Sequence, residues 1–175
     1  MNAIVFSALW GVVMMFAGVF LKNKAMARVM AIGGALIGLV VSILELQSGA
    51  PLIHYDDLHL LKTNNFNLTF IIVVYAALLL FFLLSGRDVE KVGKHVAEYF
   101  SLLFFIMCGV CISATFNTLL MLFLGIEIMS IPLYILTGSD KRNLKSNEAA
   151  LKYLLLGSFS TGILLLGITF IYGGN

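Results

Sequence analysis

Long uncharged runs separated by short polar segments dominate the sequence. A hydrocarbon core about 30 Å thick is crossed by roughly 20 apolar residues in a helix, so each run of that size is a candidate transmembrane span. From Tyr99 to Ser139 the only charge is Glu127. That run is too long for one crossing, so we place a turn at the polar cluster Thr115–Thr118. Only helices and closed β-barrels can span a bilayer, and these runs are too long for barrel strands, so each span must be a helix. The pattern predicts an all-α bundle of six transmembrane helices at about residues 2–21, 29–46, 67–85, 98–114, 118–136 and 147–172.

The composition supports a single transmembrane domain over residues 1–175. Hydrophobic residues make up 61% of the chain and charged residues 11%, whereas soluble domains have about 45–50% and about 25%. These values exclude a soluble domain, a disordered tail and a disulfide-stapled secreted module. The net charge of +2 is too small and too scattered for a nucleic-acid partner. The start of the chain has no basic segment before its first apolar run, so we expect no cleavable signal peptide.

The basic residues predict the orientation of the bundle. Nine of the eleven lie in the first, third and fifth connections, whereas the second has only Lys62 and the fourth has none. Because basic loops stay in the cytoplasm, we expect both termini on the periplasmic side. The nine are Lys22, Lys24, Arg28, Arg87, Lys91, Lys94, Lys141, Arg142 and Lys145.

The acidic Glu127 lies near the middle of the fifth span. Placing an acid there costs roughly 2.5–3.5 kcal/mol, so the protein must either offset this charge or use it. Pro132 removes the amide that would pair with the Ile128 carbonyl, which favours a helix kink. A carboxyl beside a broken helical rung and Ser130 could bind a proton or a water. Alternatively, Glu127 is a structural acid hydrogen-bonded to a neighbouring helix.

Lys152 and Glu45 are two further charged residues within the predicted spans. Lys152 is in the sixth span, and counting from the helix ends puts it within about 6 Å of the depth of Glu127. It could pair with that carboxylate, or it could pair with Glu148 one turn away and reach the surface. Glu45 ends the second span, where its side chain can extend to the surface.

The remaining polar and small residues are assigned structural roles only. Two histidines and two aspartates in the connection 47–67 match no established metal site, so we expect a solvated loop and assign no metal-binding residue. Cys108 and Cys111 form a C-x-x-C pair, but inside a span thiols behave as small apolar groups. Small residues at helix-packing spacing indicate close packing alone. These are Gly34, Gly38, Gly157 and Thr161.

The second half of the chain carries a family resemblance. The stretch Leu122–Leu136, LFLGIEIMSIPLYIL, is followed by a basic loop and by Asn147–Gly162, NEAALKYLLLGSFSTG. Together with Gly167–Gly173, they resemble the antiporter-like membrane subunits of respiratory complex I, and subunit N most closely. The preceding spans agree with that family in number, hydropathy and orientation.

The resemblance implies a proton-translocating subunit of NADH:quinone oxidoreductase in the cell inner membrane. Such subunits couple quinone reduction elsewhere in the complex to proton transport through buried charged residues. By position, Glu127 matches the family's membrane glutamate, and Lys152 matches the lysine of its E-A-x-x-K-Y motif. Both residues would then be proton-relay residues, with Pro132 as a helix kink.

The resemblance also implies the setting of the chain. NADH and quinone are used by the complex, and this chain itself has no cofactor, no redox chemistry and no hydrolytic chemistry. Its partners are other complex I membrane subunits and the lipid bilayer, with no nucleic acid. Family members have fourteen helices, so we expect the N-terminal part of a longer protein or a truncated product. Two alternatives stay open: a subunit of a sodium/proton antiporter or membrane-bound hydrogenase, and a structural scaffold.

Overall fold

The computed structural model describes residues 2–20, 24–48, 60–92, 96–140 and 143–174. Within these residues it contains six helices, each long and apolar enough to cross a membrane. The predicted all-α fold with six spans is therefore confirmed. The helices are α1 (Asn2–Phe20), α2 (Lys24–Ser48), α3 (Asn65–Val92), α4 (Val96–Ala114), α5 (Leu119–Thr137) and α6 (Leu144–Gly173).

Three helices extend by three or more residues beyond the predicted spans. The second helix begins at Lys24, the third continues to Val92, and the sixth begins at Leu144. The predicted bounds follow the thickness of the hydrocarbon core, whereas a helix continues outside it as long as its residues favour the conformation. The start of α6 is fixed by Asn143, whose side chain accepts a hydrogen bond from the Lys145 amide at 3.0 Å.

The predicted turn at Thr115–Thr118 joins α4 to α5. Thr118 caps α5, because its side chain accepts a hydrogen bond from the Met121 amide at 3.3 Å. The turn is paired with the segment before α3 through an isolated antiparallel bridge between Leu61 and Phe116. The start of α5 is thereby attached to the start of α3. The predicted loop with His54, Asp56, Asp57 and His59 lies outside the described residues.

The core lies among the first four helices, and α4 is the most deeply buried of the six. One cluster of buried residues contains Phe82, Phe100 and Phe104, whose rings pack edge-on and tilted at centroid distances of 5.2–5.8 Å. A second cluster surrounds Tyr75 and Cys111. The fifth helix packs on α4, and the sixth packs mainly on α5. The acid of α5 is thus held at the edge of a four-helix core.

Candidate functional site

Glu127 is the ninth residue of α5, which places it about 12 Å from the start of that helix. Its side chain is half-buried. No described residue forms a hydrogen bond or ion pair with its carboxylate. The partner that the structural-acid alternative requires is therefore not found on the described helices. A carboxyl at this depth with its oxygens uncommitted can bind a proton.

The contact between α4 and α5 fixes the position of Glu127. Gly109 faces Gly125 so closely that a Cβ atom on Gly109 would lie 2.8 Å from the Gly125 carbonyl and 2.6 Å from the Met129 amide nitrogen. A Cβ atom on Gly125 would in turn lie 3.1 Å from the Gly109 carbonyl and overlap the Ser113 hydroxyl. Only glycine permits this approach of two backbones, and it occurs two residues before Glu127.

The groups expected to assist Glu127 have other roles in the structure. The Ser130 hydroxyl donates to the Ile126 carbonyl at 2.7 Å, so its one proton is committed within α5. Pro132 is buried, and α5 runs as one continuous helix from Leu119 to Thr137 through it. A kink at Pro132 stays a prediction.

The packing of α5 against α6 fixes the relative depth of the two helices. A Cβ atom on Gly138 would lie 2.9 Å from the Ala150 Cβ, and the Tyr134 ring covers Gly157. Counting eleven residues back from Gly138 and eleven forward from Ala150 places Glu127 level with residue 161. Lys152 is nine residues away from that level, a depth difference of roughly 14 Å.

The expected 6 Å depth difference between Lys152 and Glu127 is therefore wrong. That estimate assumed that α5 ends and α6 begins at the same level. In the structure Ala150 lies beside Gly138, directly after the end of α5, so the first turns of α6 extend past it.

Lys152 instead pairs with Glu148 on its own helix. The Nζ–Oε1 distance is 2.5 Å, and the two side chains are 69% and 63% exposed. Pairing with Glu148 is the second of the two arrangements that the sequence allows for Lys152. The functional role of Lys152 stays a prediction, because a residue in this ion pair can still take part in proton transfer.

The remaining candidates lie apart from Glu127. Cys108 and Cys111 are buried free thiols on α4, packed in the core. In the described ranges, no group of three histidine, cysteine, aspartate or glutamate residues could hold a metal ion. The predicted packing positions Gly34 and Gly38 face Trp10 and Tyr75 directly.

One charged residue differs from its predicted position. Glu45 does not extend to the surface: it is 4% exposed, and its Oε2 accepts a hydrogen bond from the Asn2 backbone amide at 3.2 Å. The sequence could not indicate this, because the contact depends on where the start of α1 meets the end of α2.

Six membrane-length helices, one of them with a half-buried carboxyl at its middle, define a multi-pass integral membrane protein. The family described as NADH:quinone oxidoreductase/Mrp antiporter, TM, matches residues 116–175, which include α5 and α6. NADH-quinone oxidoreductase subunit N of Cytophaga hutchinsonii is 35% identical over 175 residues, which is 100% of this chain and 37% of that protein. The same subunit of Flavobacterium psychrophilum is 32% identical over 176 residues, again 100% and 37%. Subunit N 1 of Chloroherpeton thalassium is 37% identical over 155 residues, which is 88% of this chain and 32% of that protein.

The chain belongs to the family of antiporter-like membrane subunits that includes NADH-quinone oxidoreductase subunit N. The predicted resemblance is thereby confirmed over the whole chain, including the four helices that lack the quoted motifs. The chain spans about 37% of the length of the first two relatives.

Proposed function

We propose that this chain is part of a proton-translocating subunit of an NADH:quinone oxidoreductase, and that Glu127 binds and releases the proton. The observation that carries the proposal is the half-buried Glu127 carboxyl, which lies at the middle of an apolar helix with no described partner. It lies within the region 116–175 that the family model matches. An intramembrane acid of this kind is typical of a proton pathway.

The setting of the proposal follows the family. NADH and quinone would react elsewhere in the complex, and this chain would carry protons without a cofactor of its own. Its partners would be other membrane subunits of that complex and the lipid of the cell inner membrane. The basic connections support termini on the periplasmic side.

Lys152 has a different role in this proposal from direct pairing with Glu127. A depth difference of roughly 14 Å is too large for a lysine side chain to cross. Lys152 and Glu148 would instead form a charge pair near one end of α6, and a change in that pair would alter the field at Glu127. Because this influence acts at a distance, a Lys152→Met variant should be milder than a Glu127 variant.

The test is Glu127→Gln in the assembled complex, with Glu98→Gln as the matched control. Glu98 is exposed in the first turn of α4. We expect normal assembly of both variants and fewer protons translocated per electron in Glu127→Gln alone, measured in membrane vesicles during NADH oxidation. Full proton translocation in Glu127→Gln would refute the role of this residue. Loss of the assembled complex would instead support the structural scaffold.

A sodium/proton antiporter subunit is the second candidate, because the matching family is described by both names. It predicts sodium-dependent proton exchange in vesicles without NADH. The three relatives are all oxidoreductase subunits, which favours the first candidate.

A further inference from the structure

The buried carboxylate of Glu45 is a feature that the proposed function does not use. Among the described residues, Glu45 is the charged side chain that the bundle buries, at 4% exposure. It lies in the last turn of α2, and its Oε2 accepts the Asn2 amide at the start of α1. A buried carboxylate in a membrane protein must be compensated locally or take part in transport.

The electrostatics of the two helices favour local compensation of the Glu45 charge. The last turn of α2 presents carbonyl groups and partial negative charge, which disfavours a carboxylate there. The first turn of α1 presents unpaired amides and partial positive charge, which favours one. Since Glu45 bonds to the first described amide of α1, its negative charge stabilises the start of that helix.

Two further side chains hold α1 by its backbone. The Tyr75 hydroxyl of α3 donates to the Ala3 carbonyl at 3.3 Å, and the Ser101 hydroxyl of α4 donates to the Gly11 carbonyl at 2.7 Å. Both bonds are buried. The helices α2, α3 and α4 therefore each contribute one side chain that hydrogen-bonds to the backbone of α1.

Two buried hydroxyls of α1 and α2 donate to carbonyls of their own helices rather than to Glu45. Ser42 donates to the carbonyl of Gly38 at 2.8 Å, and Ser7 donates to that of Ile4 at 2.9 Å. Each hydroxyl has one proton, which bonds to a carbonyl of its own helix. A relay would require each hydroxyl to donate to the next polar group instead.

We infer that Glu45 is a fixed anionic anchor, which docks the start of α1 onto α2 and takes no part in proton exchange. Glu127 and Glu45 then have separate tasks: Glu127 exchanges a proton, and Glu45 holds the start of a helix. The docking part of this inference does not rest on the proposed function.

The single tryptophan of the chain reports directly on this docking. Trp10 lies on α1, directly against Gly34 of α2, and stacks on Phe6. The measurement is the thermal transition of Trp10 fluorescence for the full chain in lipid nanodiscs. Glu45→Gln keeps the shape and an acceptor oxygen but removes the charge. We expect it to lower the transition midpoint by several degrees, whereas the exposed control Asp140→Asn leaves the midpoint unchanged.

A second measurement separates an anchor from a proton carrier. In vesicles that contain the assembled complex, we expect the protons translocated per electron to stay at the wild-type value in Glu45→Gln and to fall in Glu127→Gln. A Glu45→Gln variant with a normal Trp10 transition, or with a reduced proton ratio, would overturn the inference. If neither variant changes the ratio, the proposed function fails, while a lowered Trp10 midpoint would still support the anchor.

A charge-preserving variant keeps the test decisive if Glu45→Gln does not accumulate. Glu45→Asp retains the negative charge one methylene further from the Asn2 amide. We expect it to accumulate, with a transition midpoint between those of the wild type and of any neutral variant. If Glu45→Asp is no more stable than Glu45→Gln, or is lost together with it, the charge is not what holds α1 and the inference is overturned.

Discussion

The contact between α4 and α5 allows a sharp prediction, because it depends on the absence of one methyl group. In Gly109→Ala the new Cβ atom would lie 2.6 Å from the Met129 amide nitrogen and 2.8 Å from the Gly125 carbonyl oxygen. Both are backbone atoms inside a helix, so neither can rotate away. Ordinary contact begins at 3.4 Å. The two helices must therefore move apart by about 0.8 Å, which is the difference between 3.4 and 2.6 Å.

The expected loss of stability follows from this displacement. Overpacking of a tight core contact costs about 1–3 kcal/mol. The separation would also weaken the close contacts of the two glycines with backbone carbonyls, each worth about 0.5–1 kcal/mol. The matched control is Gly162→Ala on α6, where a Cβ atom would meet nothing within 4 Å. Because alanine is the better helix former, the control should be neutral or more stable by up to about 1 kcal/mol.

The assay is unfolding of each variant in mixed micelles, followed by far-ultraviolet circular dichroism during titration with SDS. We expect Gly109→Ala to unfold at lower SDS than the wild type, and Gly162→Ala at the same concentration or above. Because the contact lies two residues from Glu127, the assembled Gly109→Ala complex should also translocate fewer protons per electron. Equal stability of the two variants would refute the close approach of α4 and α5.

Three further predictions concern other contacts. Lys152→Met should shift the pH profile of proton translocation to higher pH, and Glu148→Gln should shift it to lower pH, because each variant leaves the other charge uncompensated. Shifts in the same direction would contradict this. Ser101→Ala should destabilise the chain by about 0.6 kcal/mol in the SDS titration, the average for a hydrogen bond between membrane helices, and no change would show that α1 does not need this bond. Gly157→Ala should displace the Tyr134 ring at a cost of about 1–3 kcal/mol, and stability equal to the wild type would contradict the packing of α5 on α6.

The helices could be predicted because the bilayer imposes a minimum length on each span. The apolar runs are long enough to identify all six helices, and the polar residues Thr115–Thr118 identify the turn in the longest run. The helix ends cannot be predicted in the same way, because hydropathy reports the thickness of the hydrocarbon core and not the extent of the helix. For this reason Lys24 and Leu144 begin helices several residues before the predicted spans.

The candidate site was predictable only in part. The charge and depth of Glu127 can be read from its position in an apolar run. The burial of Glu45 depends on contact with α1, and Gly109 acquires its importance from Gly125 on the next helix. Neither contact has a signal in local periodicity, because each joins residues of different helices. Gly109 lies directly after Cys108 in the C-x-x-C pair, and nothing in the sequence around it distinguishes it from a glycine that faces lipid.

The depth of Lys152 changes how the two charged groups can be coupled. At an effective dielectric constant of about 20, two unit charges interact by roughly 3 kcal/mol at 6 Å and by roughly 1 kcal/mol at 14 Å. Lys152 is also paired with Glu148 at 2.5 Å, so the opposite charges largely cancel at the distance of Glu127. The intact pair therefore has almost no effect on Glu127, whereas a pair with one member neutralised exerts the effect of one charge. Any control of Glu127 by Lys152 must then act through separation of this pair, for example when a second carboxylate or a proton competes for either member.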